Sequence, residues 1–457
     1  MSKRKDDLLN DKENTLLMKY ILPSVGGMMG LSLCILFDTM FIGKKLGAMG
    51  IGALNITLPI YSLMSALGLT FGVGGATVLS IYLGKKKFES INKIFTTSMI
   101  GVGLLYIVFL IVRIFFMDNL VWALGASEQT FGMVKSYLNV LIIFSGVYMG
   151  LNALNVFVRN DGNPKLAMMA VIATNLVNIV LDYVFMFILD MGIGGAALAT
   201  SIGQFAGLAT LSLHFIKKKN SFAFDLKSYD FRFMGRIVRT GVPSFISGIT
   251  AGIVIMIFNI VSFKILGNVG VSAYGVINNI ALIFVAIFNG IAQGIQPIIS
   301  TNYGAKKDER VNSFIKKGRI IMFVTGTVFF IIGVMFPVQL ISIFTEASGE
   351  FLRVAKEGLI IYFASFILAG VNILNIAALQ SVEKVKISTL LSMLRGFVYI
   401  LIVLIILSTF FGMTGVWLTI PIVEFATIIT LILIDLYKKK KNNKNDKNDK
   451  IEEKSFV

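Results

Sequence analysis

The sequence predicts an all-α integral membrane protein with twelve transmembrane helices, arranged as two pseudo-symmetric bundles of six. Three observations support this fold. Hydrophobic residues make up 56% of the 457-residue chain and charged residues only 15%, which is typical of a membrane protein. The apolar residues form long runs between short polar breaks, and the second half of the chain repeats the first.

Twelve apolar runs are long enough to span the bilayer, which takes about 20 helical residues. They cover residues 16–43, 52–83, 94–117, 131–157, 166–188, 194–216, 237–264, 272–303, 318–341, 352–379, 387–409 and 414–437. The sequence therefore predicts an N-terminal bundle at 1–216, a linker at 217–236, a C-terminal bundle at 237–437 and a disordered Lys-rich tail at 438–457.

Positive charge is concentrated in alternate loops. Lys and Arg are frequent at residues 85–87, 217–219 and 306–310, whereas the loops that hold Glu128 and Glu346 are poor in cations. By the positive-inside rule, both termini are predicted to be cytoplasmic. The net charge of +17 therefore indicates orientation and contact with anionic lipids, and we expect no nucleic-acid partner.

The two halves match at a constant offset of 220 residues, as Pro23 and Pro243 or Asn152 and Asn372 illustrate. The same offset relates Gly47, Asn155 and Gly192 to Gly267, Asn375 and Gly412. Because each half holds an even number of spans, the halves share one orientation in the membrane. Parallel repeats of this kind are a transporter architecture, with the substrate site between the halves and alternating access.

Polar side chains at membrane depth mark a candidate ion site in the first half. Asn178 and Asp182 are four residues apart on the fifth span and share a helix face, and Thr200 on the sixth span is expected level with them. Asp38 lies at a similar depth in the first span, and Tyr137 lies near the same surface. A carboxylate at this depth costs about 2–3 kcal/mol, so a cavity or a partner is expected. The alternative is a polar contact that only joins helices.

The oxygens of this group suit a small hard cation such as Na⁺. The two carboxylates equally suit H⁺, because burial and mutual repulsion favour a protonated form. The sequence leaves both ions open. With one cysteine, Cys34, and one histidine, His214, which is predicted at the membrane interface, it excludes Cys-based and His-cluster metal sites.

Five motifs resemble the multidrug and toxic compound extrusion (MATE) transporters, closest to their bacterial MepA/DinF-type branch. They are FDTMFIG at 37–43, GVGGATVLSIYLGKKK at 72–87, NIVLDYVFMF at 178–187, GGAALAT at 194–200 and QPIISTNYGAKK at 296–307. The resemblance implies a V-shaped multidrug efflux antiporter in the bacterial cell membrane, which exchanges amphipathic organic cations for H⁺ or Na⁺ without a cofactor. It also implies that the family's N-lobe cation site falls on the group described above: Asp38, Asn178, Asp182 and Thr200, with Tyr137 beside it.

The second half carries Arg395 and Glu424 near mid-membrane, and these are expected to pair because their spans are consecutive and antiparallel. The pair is interpreted either as structural or as part of a substrate site. The predicted substrate cleft comprises Tyr61, Met64, Tyr148, Asn152, Asn155, Gln293, Gln296, Asn372, Arg395 and Glu424.

Other functions were weighed against drug efflux. A flippase or exporter of lipid-linked or glycan substrates on a related fold is the alternative, although it would favour a more cationic cavity. An enzyme is not expected, since no nucleophile–base set or nucleotide motif accompanies the paired carboxylates. We expect a monomer whose partners are small organic cations and membrane lipids.

Overall fold

The computed structural model describes residues 8–344 and 348–455, of which residues 32, 33, 35, 36, 48 and 438–455 are described by backbone alone. The regular elements of these ranges are helices. The α-helices are Glu13–Gly84, Glu89–Ala123, Glu128–Ile143, Ser145–Asn160, Pro164–Tyr183, Gly192–Ile216, Arg232–Gly304, Asp308–Met335, Pro337–Ser342, Gly349–Phe363, Phe366–Ser381, Val385–Met393 and Tyr399–Ser455. Two π-helical turns, Val184–Ile188 and Leu394–Val398, and one 3₁₀ turn, Leu226–Ser228, complete them.

These helices form the twelve predicted spans. Within the described ranges, seven segments are long and apolar enough to cross a membrane, or nine if each of two bent pairs is one span. Two of the seven, Arg232–Gly304 and Val385–Tyr437, hold two spans each, because a left-handed glycine divides them. The first part of Glu13–Gly84 supplies the remaining span at residues 16–46, and its first turn, which holds Glu13, precedes that span. We number the spans one to twelve in chain order.

Left-handed glycines recur at the predicted offset. Gly47 and Gly267 have φ angles of 64° and 56°, and each separates the first two spans of its half. Gly192 and Gly412, with φ angles of 59° and 56°, separate the last two. Because an L side chain is strained at such angles, glycine is the residue these turns require. The repeat is therefore present in the backbone as well as in the sequence.

The fourth and tenth spans bend at matching positions. Glu128–Ile143 and Ser145–Asn160 meet at 53°, and Gly349–Phe363 and Phe366–Ser381 meet at 45°. The ninth span ends at Met335, earlier than the predicted residue 341. Pro337 begins a separate short helix there, because proline is accommodated at a helix start and not in its interior.

The two halves contact each other at the end of the molecule that carries the cationic loops. A methyl group on Gly290 of the eighth span would lie 2.6 Å from Val25 Cα of the first span, and one on Gly294 would lie 2.8 Å from Ile21 Cα. The helix backbones thus touch directly, as small residues allow in membrane proteins. The molecule is closed at this end.

The linker packs against the N-terminal half and is not a free connection. Its Phe222 side chain is 1% exposed, with ring centroids 4.4 Å from Phe95 and 5.6 Å from Phe157. Ser221 donates hydrogen bonds to Asp161. His214, near the end of its span, is completely buried, with Nε2 2.9 Å from Asp161 Oδ2, so its side chain faces the protein and not lipid or water. A single-sequence pattern gives the end of the span but not the linker that covers it.

Two predicted boundaries differ from the structure. The seventh span begins at Arg232, so the segment between helices is 217–231, shorter than the predicted 217–236. The last helix continues to Ser455, where the composition predicted a disordered tail. A helix already formed by a membrane span extends at low cost.

Candidate functional site

Two carboxyl groups from different spans meet in the N-terminal half. The side-chain carboxyl groups of Asp38 of the first span and Asp182 of the fifth lie next to each other, and Asp182 is completely buried. The Oδ1 atom of each acid is buried and has no donor among the described residues. Since ionised carboxylates only accept hydrogen bonds, a proton or a small cation between the two acids would satisfy both.

Asn178 links this acid pair to its neighbours. Its Nδ2 donates to Asp182 Oδ2 at 3.0 Å and to Thr200 Oγ1 at 3.3 Å, and its Oδ1 accepts a hydrogen bond from Cys34 Sγ at 2.9 Å. The Tyr137 hydroxyl lies close to both acids and to Thr200. The five residues predicted from the sequence therefore surround one point.

Local backbone geometry produces this arrangement. A methyl group on Gly203 would lie 2.6 Å from the Thr174 carbonyl oxygen and 3.1 Å from Asn178 Cβ. The sixth span can therefore approach the fifth closely enough for Thr200 to reach Asn178. Directly after Asp182, the helix changes at Tyr183 to the π-turn Val184–Ile188, a feature frequent at functional sites.

Cys34 is a site residue that the sequence reading missed. It lies four residues before Asp38 and contacts Asn178, so it shares the face of the first span that carries the acid. Its spacing from Asp38 was the available signal. In an apolar run a lone cysteine is interpreted as a small hydrophobic residue, so the pattern did not indicate a polar contact for Cys34.

The predicted cleft residues of the N-terminal half lie near this site. The rings of Tyr61 and Tyr148 have centroids 4.7 Å apart, and Asn152 Nδ2 donates to the Tyr148 carbonyl oxygen at 3.1 Å. Met64 is completely buried, so in this conformation it is a core residue and lines no open cleft. Asn155 instead donates to the Ala167 carbonyl oxygen at 2.8 Å, which joins the fourth and fifth spans.

Gln293 and Gln296 lie where the two halves close on each other. Gln296 Nε2 is 3.3 Å from Thr77 Oγ1 of the second span. Gln293 Oε1 accepts a hydrogen bond from Arg159 Nη1 at 2.8 Å. Arg159 lies one residue before the end of the fourth span, yet its side chain is only 4% exposed. Its Nε and Nη2 atoms have no partner among the described residues. Because its Nη1 bonds Gln293 of the other half, Arg159 is part of the closed contact.

The remaining predicted residues form a group in the C-terminal half. Arg395 Nη2 is 2.6 Å from Glu424 Oε1, and Arg395 Nε is 3.0 Å from both carboxylate oxygens. Asn372 Nδ2 donates to Glu424 Oε2 at 2.7 Å and to its carbonyl oxygen at 2.9 Å. The predicted ion pair is thus present. Apart from Met64 in the core and Asn155 between the fourth and fifth spans, the candidate residues lie in three places: the acid site and its surroundings, the closed contact and this paired group.

Comparisons with known proteins agree with this architecture. The sequence profile of the MatE family matches residues 23–184 and again residues 243–406, and the two matches begin at the 220-residue offset. A curated relative, Multidrug export protein MepA of Staphylococcus aureus (strain N315), is 27% identical over 419 residues, which cover 89% of this chain and 90% of the relative. The protein of the same name from Staphylococcus saprophyticus is 28% identical over 407 residues, covering 88% and 89%.

Among solved structures, an outward-facing multidrug resistance MATE family transporter of the MOP superfamily superposes with a TM-score of 0.89. It is 22% identical in sequence and the alignment covers 96% of this chain and all of that one. This similarity shows the fold. The two profile matches together cover well over half of the chain. The protein therefore belongs to the MatE family, the multidrug and toxic compound extrusion transporters of the MepA type, and is a multi-pass membrane transporter and not an enzyme.

Proposed function

We propose that this protein is an antiporter that exports amphipathic, mostly cationic organic compounds in exchange for H⁺ or Na⁺. The observation that carries the proposal is the buried contact between Asp38 and Asp182, in which an oxygen of each acid has no donor among the described residues. Such a pair of buried acids is stable only if it takes up a cation or if the surrounding conformation changes. A coupling site requires that these two events be linked. The names of the curated relatives support drug export.

H⁺ is the ion that this conformation favours. Two buried carboxyl groups that lie side by side cannot both be ionised at low cost, and one shared proton would make their contact favourable. Na⁺ would need the acids to separate and Asn178 and Thr200 to turn their oxygens towards it. Asn178 Nδ2 and the Thr200 hydroxyl instead occupy this side with hydrogen bonds of their own.

The N-terminal half alone carries titratable groups at these positions. At the 220-residue offset, Asp38 corresponds to Phe258 and Asp182 to Ile402. Phe258 is completely buried and Ile402 is 52% exposed. An ion shifts the balance between two conformations only if it binds one of them better. The groups responsible are those whose interaction with the ion differs between the two conformations. Coupling is therefore assigned to the N-terminal half.

The substrate is proposed to bind near Tyr61 and Tyr148, where aromatic faces can attract an organic cation. A flippase of pyrophosphate-linked substrates would need free positive charge in the cavity. Arg395 is instead neutralised by Glu424, which favours drug export over the flippase alternative.

Orientation is proposed from the loops, with both termini and the closed contact cytoplasmic. A cysteine at Lys85 or Lys306 should then react with an impermeant reagent only from the cytoplasm, and one at Glu128 only from outside. The reverse pattern would overturn the orientation.

Transport into inverted vesicles tests the function. Uptake of a fluorescent organic cation should follow an imposed proton gradient, and a Na⁺ gradient of equal size should have little effect. Asp38→Asn and Asp182→Asn should each nearly abolish gradient-driven uptake while substrate binding in detergent persists. Ile402→Val, at the matching position of the other half, is the control and should transport normally. Normal pumping by Asp182→Asn would refute the assignment.

A further inference from the structure

A cavity lies in the C-terminal half, away from the acid site. Its volume is about 410 Å³, and it is bordered by the ninth, tenth and twelfth spans at the cation-rich end. The exposed rim holds Lys316, Arg319, Lys384 and Asp435. The floor is mainly apolar and includes Ile315, Ala378, Leu379, Val382 and Leu431, with the buried amide of Asn375, whereas Asn312 is exposed at the edge of the cavity.

The rim carries three cations against one carboxylate. Within the described residues, none of these four side chains takes part in an ion pair. Arg319 Nε donates to Asn375 Oδ1 at 2.8 Å, and this bond holds the guanidinium over the floor. A fixed guanidinium with nearby lysines is suited to bind an anion with several oxygens.

The corresponding place in the N-terminal half is filled by the chain itself. The linker backbone donates from Ala223 to Asn92 Oδ1 at 2.9 Å and from Asp225 to Thr96 Oγ1 at 3.0 Å. Phe222 packs there on Phe95 at 4.4 Å and on Phe215 at 5.7 Å between ring centroids. At the 220-residue offset, these contacts correspond to cavity residues: Asn92 to Asn312, Phe95 to Ile315, Thr96 to Lys316 and Phe215 to Asp435.

The two halves have therefore diverged in two linked ways. Where the linker fills the N-terminal half, the lining residues Phe95, Thr96 and Met99 are uncharged. In the C-terminal half no described segment fills the space, and Thr96 and Met99 correspond to Lys316 and Arg319. Packing does not explain charged side chains beside an open space. Lys316 and Arg319 are explained if an anionic ligand occupies the space that the linker fills in the N-terminal half.

We propose that this cavity binds a phosphate group, carried by an anionic phospholipid or by a soluble phosphate. Lys316, Arg319 and Lys384 would donate to the phosphate oxygens, and Asp435 would disfavour ligands of higher negative charge. The apolar floor suits the glycerol and first methylenes of a lipid. Its place between spans at the end with the cationic loops matches the depth of lipid headgroups.

Native mass spectrometry of the full chain in detergent tests this site. The probes are dioleoylphosphatidylglycerol, dioleoylphosphatidylcholine and inorganic phosphate. We expect the anionic phosphatidylglycerol to bind in preference to the zwitterionic phosphatidylcholine. The double variant Lys316→Ala/Lys384→Ala should weaken its binding about 25-fold, since each cation near the surface contributes about fivefold. Lys87→Ala/Lys217→Ala removes the same charge from exposed loops at the same end and should have little effect.

A variant of opposite sign makes the result independent of damage to the fold. Asp435→Asn removes the carboxylate of the rim and should strengthen binding of the anionic lipid by about fivefold. Competition by millimolar inorganic phosphate would identify a soluble phosphate as the ligand, and its absence would identify the lipid. Equal loss in both double variants would overturn the proposal, as would the absence of both a preference for the anionic lipid and binding of inorganic phosphate.

Discussion

The close approach of Gly290 to the first span predicts how a single methyl group shifts the conformational balance. In the structure the two halves are closed at the cation-rich end, where Gly290 lies against Val25. Gly290→Ala would place Cβ 2.6 Å from Val25 Cα, whereas carbon atoms pack at about 3.5–4.0 Å. Because the neighbouring atom belongs to the backbone, no side chain can turn aside. The two helices must separate by about 1 Å.

Overpacking of this kind costs about 1–3 kcal/mol, and the cost applies only while the halves are closed. The ratio of closed to open molecules should therefore fall by about 5- to 150-fold. Alanine also favours the helix over glycine by about 0.5–1 kcal/mol, in either conformation. Gly275→Ala, on the same span but with no atom within 4 Å of the added methyl, isolates this second effect.

A buried thiol reports the opening. Thr77 is completely buried at the contact between the halves, so Thr77→Cys in a Cys34→Ser background should react slowly with a maleimide. Gly290→Ala should raise the rate by the factor given above, and Gly275→Ala should leave it unchanged. If Gly290→Ala reacted no faster than Gly275→Ala, the closed contact would not limit the conformational change.

Three further predictions concern stability, each measured as the thermal unfolding midpoint in detergent. Phe222→Ala should destabilise the protein by about 3–5 kcal/mol, because it empties a buried site, whereas Phe224→Ala, at a side chain 53% exposed, should change little. Glu424→Gln should cost about 3–5 kcal/mol, because it leaves Arg395 unpaired, yet transport by the surviving protein should still depend on the ion gradient; loss of that dependence would move the coupling site to the C-terminal half. Desolvation raises the pKa of Glu13, but the hydrogen bonds from Lys317 and Ser313 together have the larger effect and lower the pKa to below its ordinary 4.5. Its contribution is therefore complete above pH 4.5 and is lost as the pH falls through the lowered pKa, and Lys317→Met should weaken this pH dependence.

The fold could be predicted from the sequence because its signals are local or repeated. Apolar runs gave the spans, and the constant offset gave the two halves, which the paired glycines Gly47 and Gly267 confirm in the backbone. Errors arose where a distant segment decides the environment. His214 and Arg159 are polar residues near span ends, and only the linker and the opposite half determine that both are buried.

The acid site could be anticipated because its residues share a depth in the membrane. Asp38, Asn178 and Asp182 are costly at that depth and must be near a partner, so depth alone brought them together. Gln293 and Gln296 could not be placed in the same way. Whether they line a cleft or join the halves depends on the conformation, and in the closed contact they bond Arg159 and Thr77.

The first span connects the acid site to the closed contact. Asp38 lies thirteen residues beyond Val25, which corresponds to about 20 Å along a helix. The contact at its far end is made of touching backbones and of hydrogen bonds such as Gln296 to Thr77 and Arg159 to Gln293, each worth about 1–3 kcal/mol. The partly exposed ion pair between Lys317 and Glu13 also joins the halves and adds about 0–1 kcal/mol. A full shift between two states needs about 5.5 kcal/mol of differential binding. By contrast, the Arg395–Glu424 pair lies within one half and need not break. The halves are thus held together by individually weak interactions that the binding of one ion can offset, while the buried Arg395–Glu424 pair stays within one half.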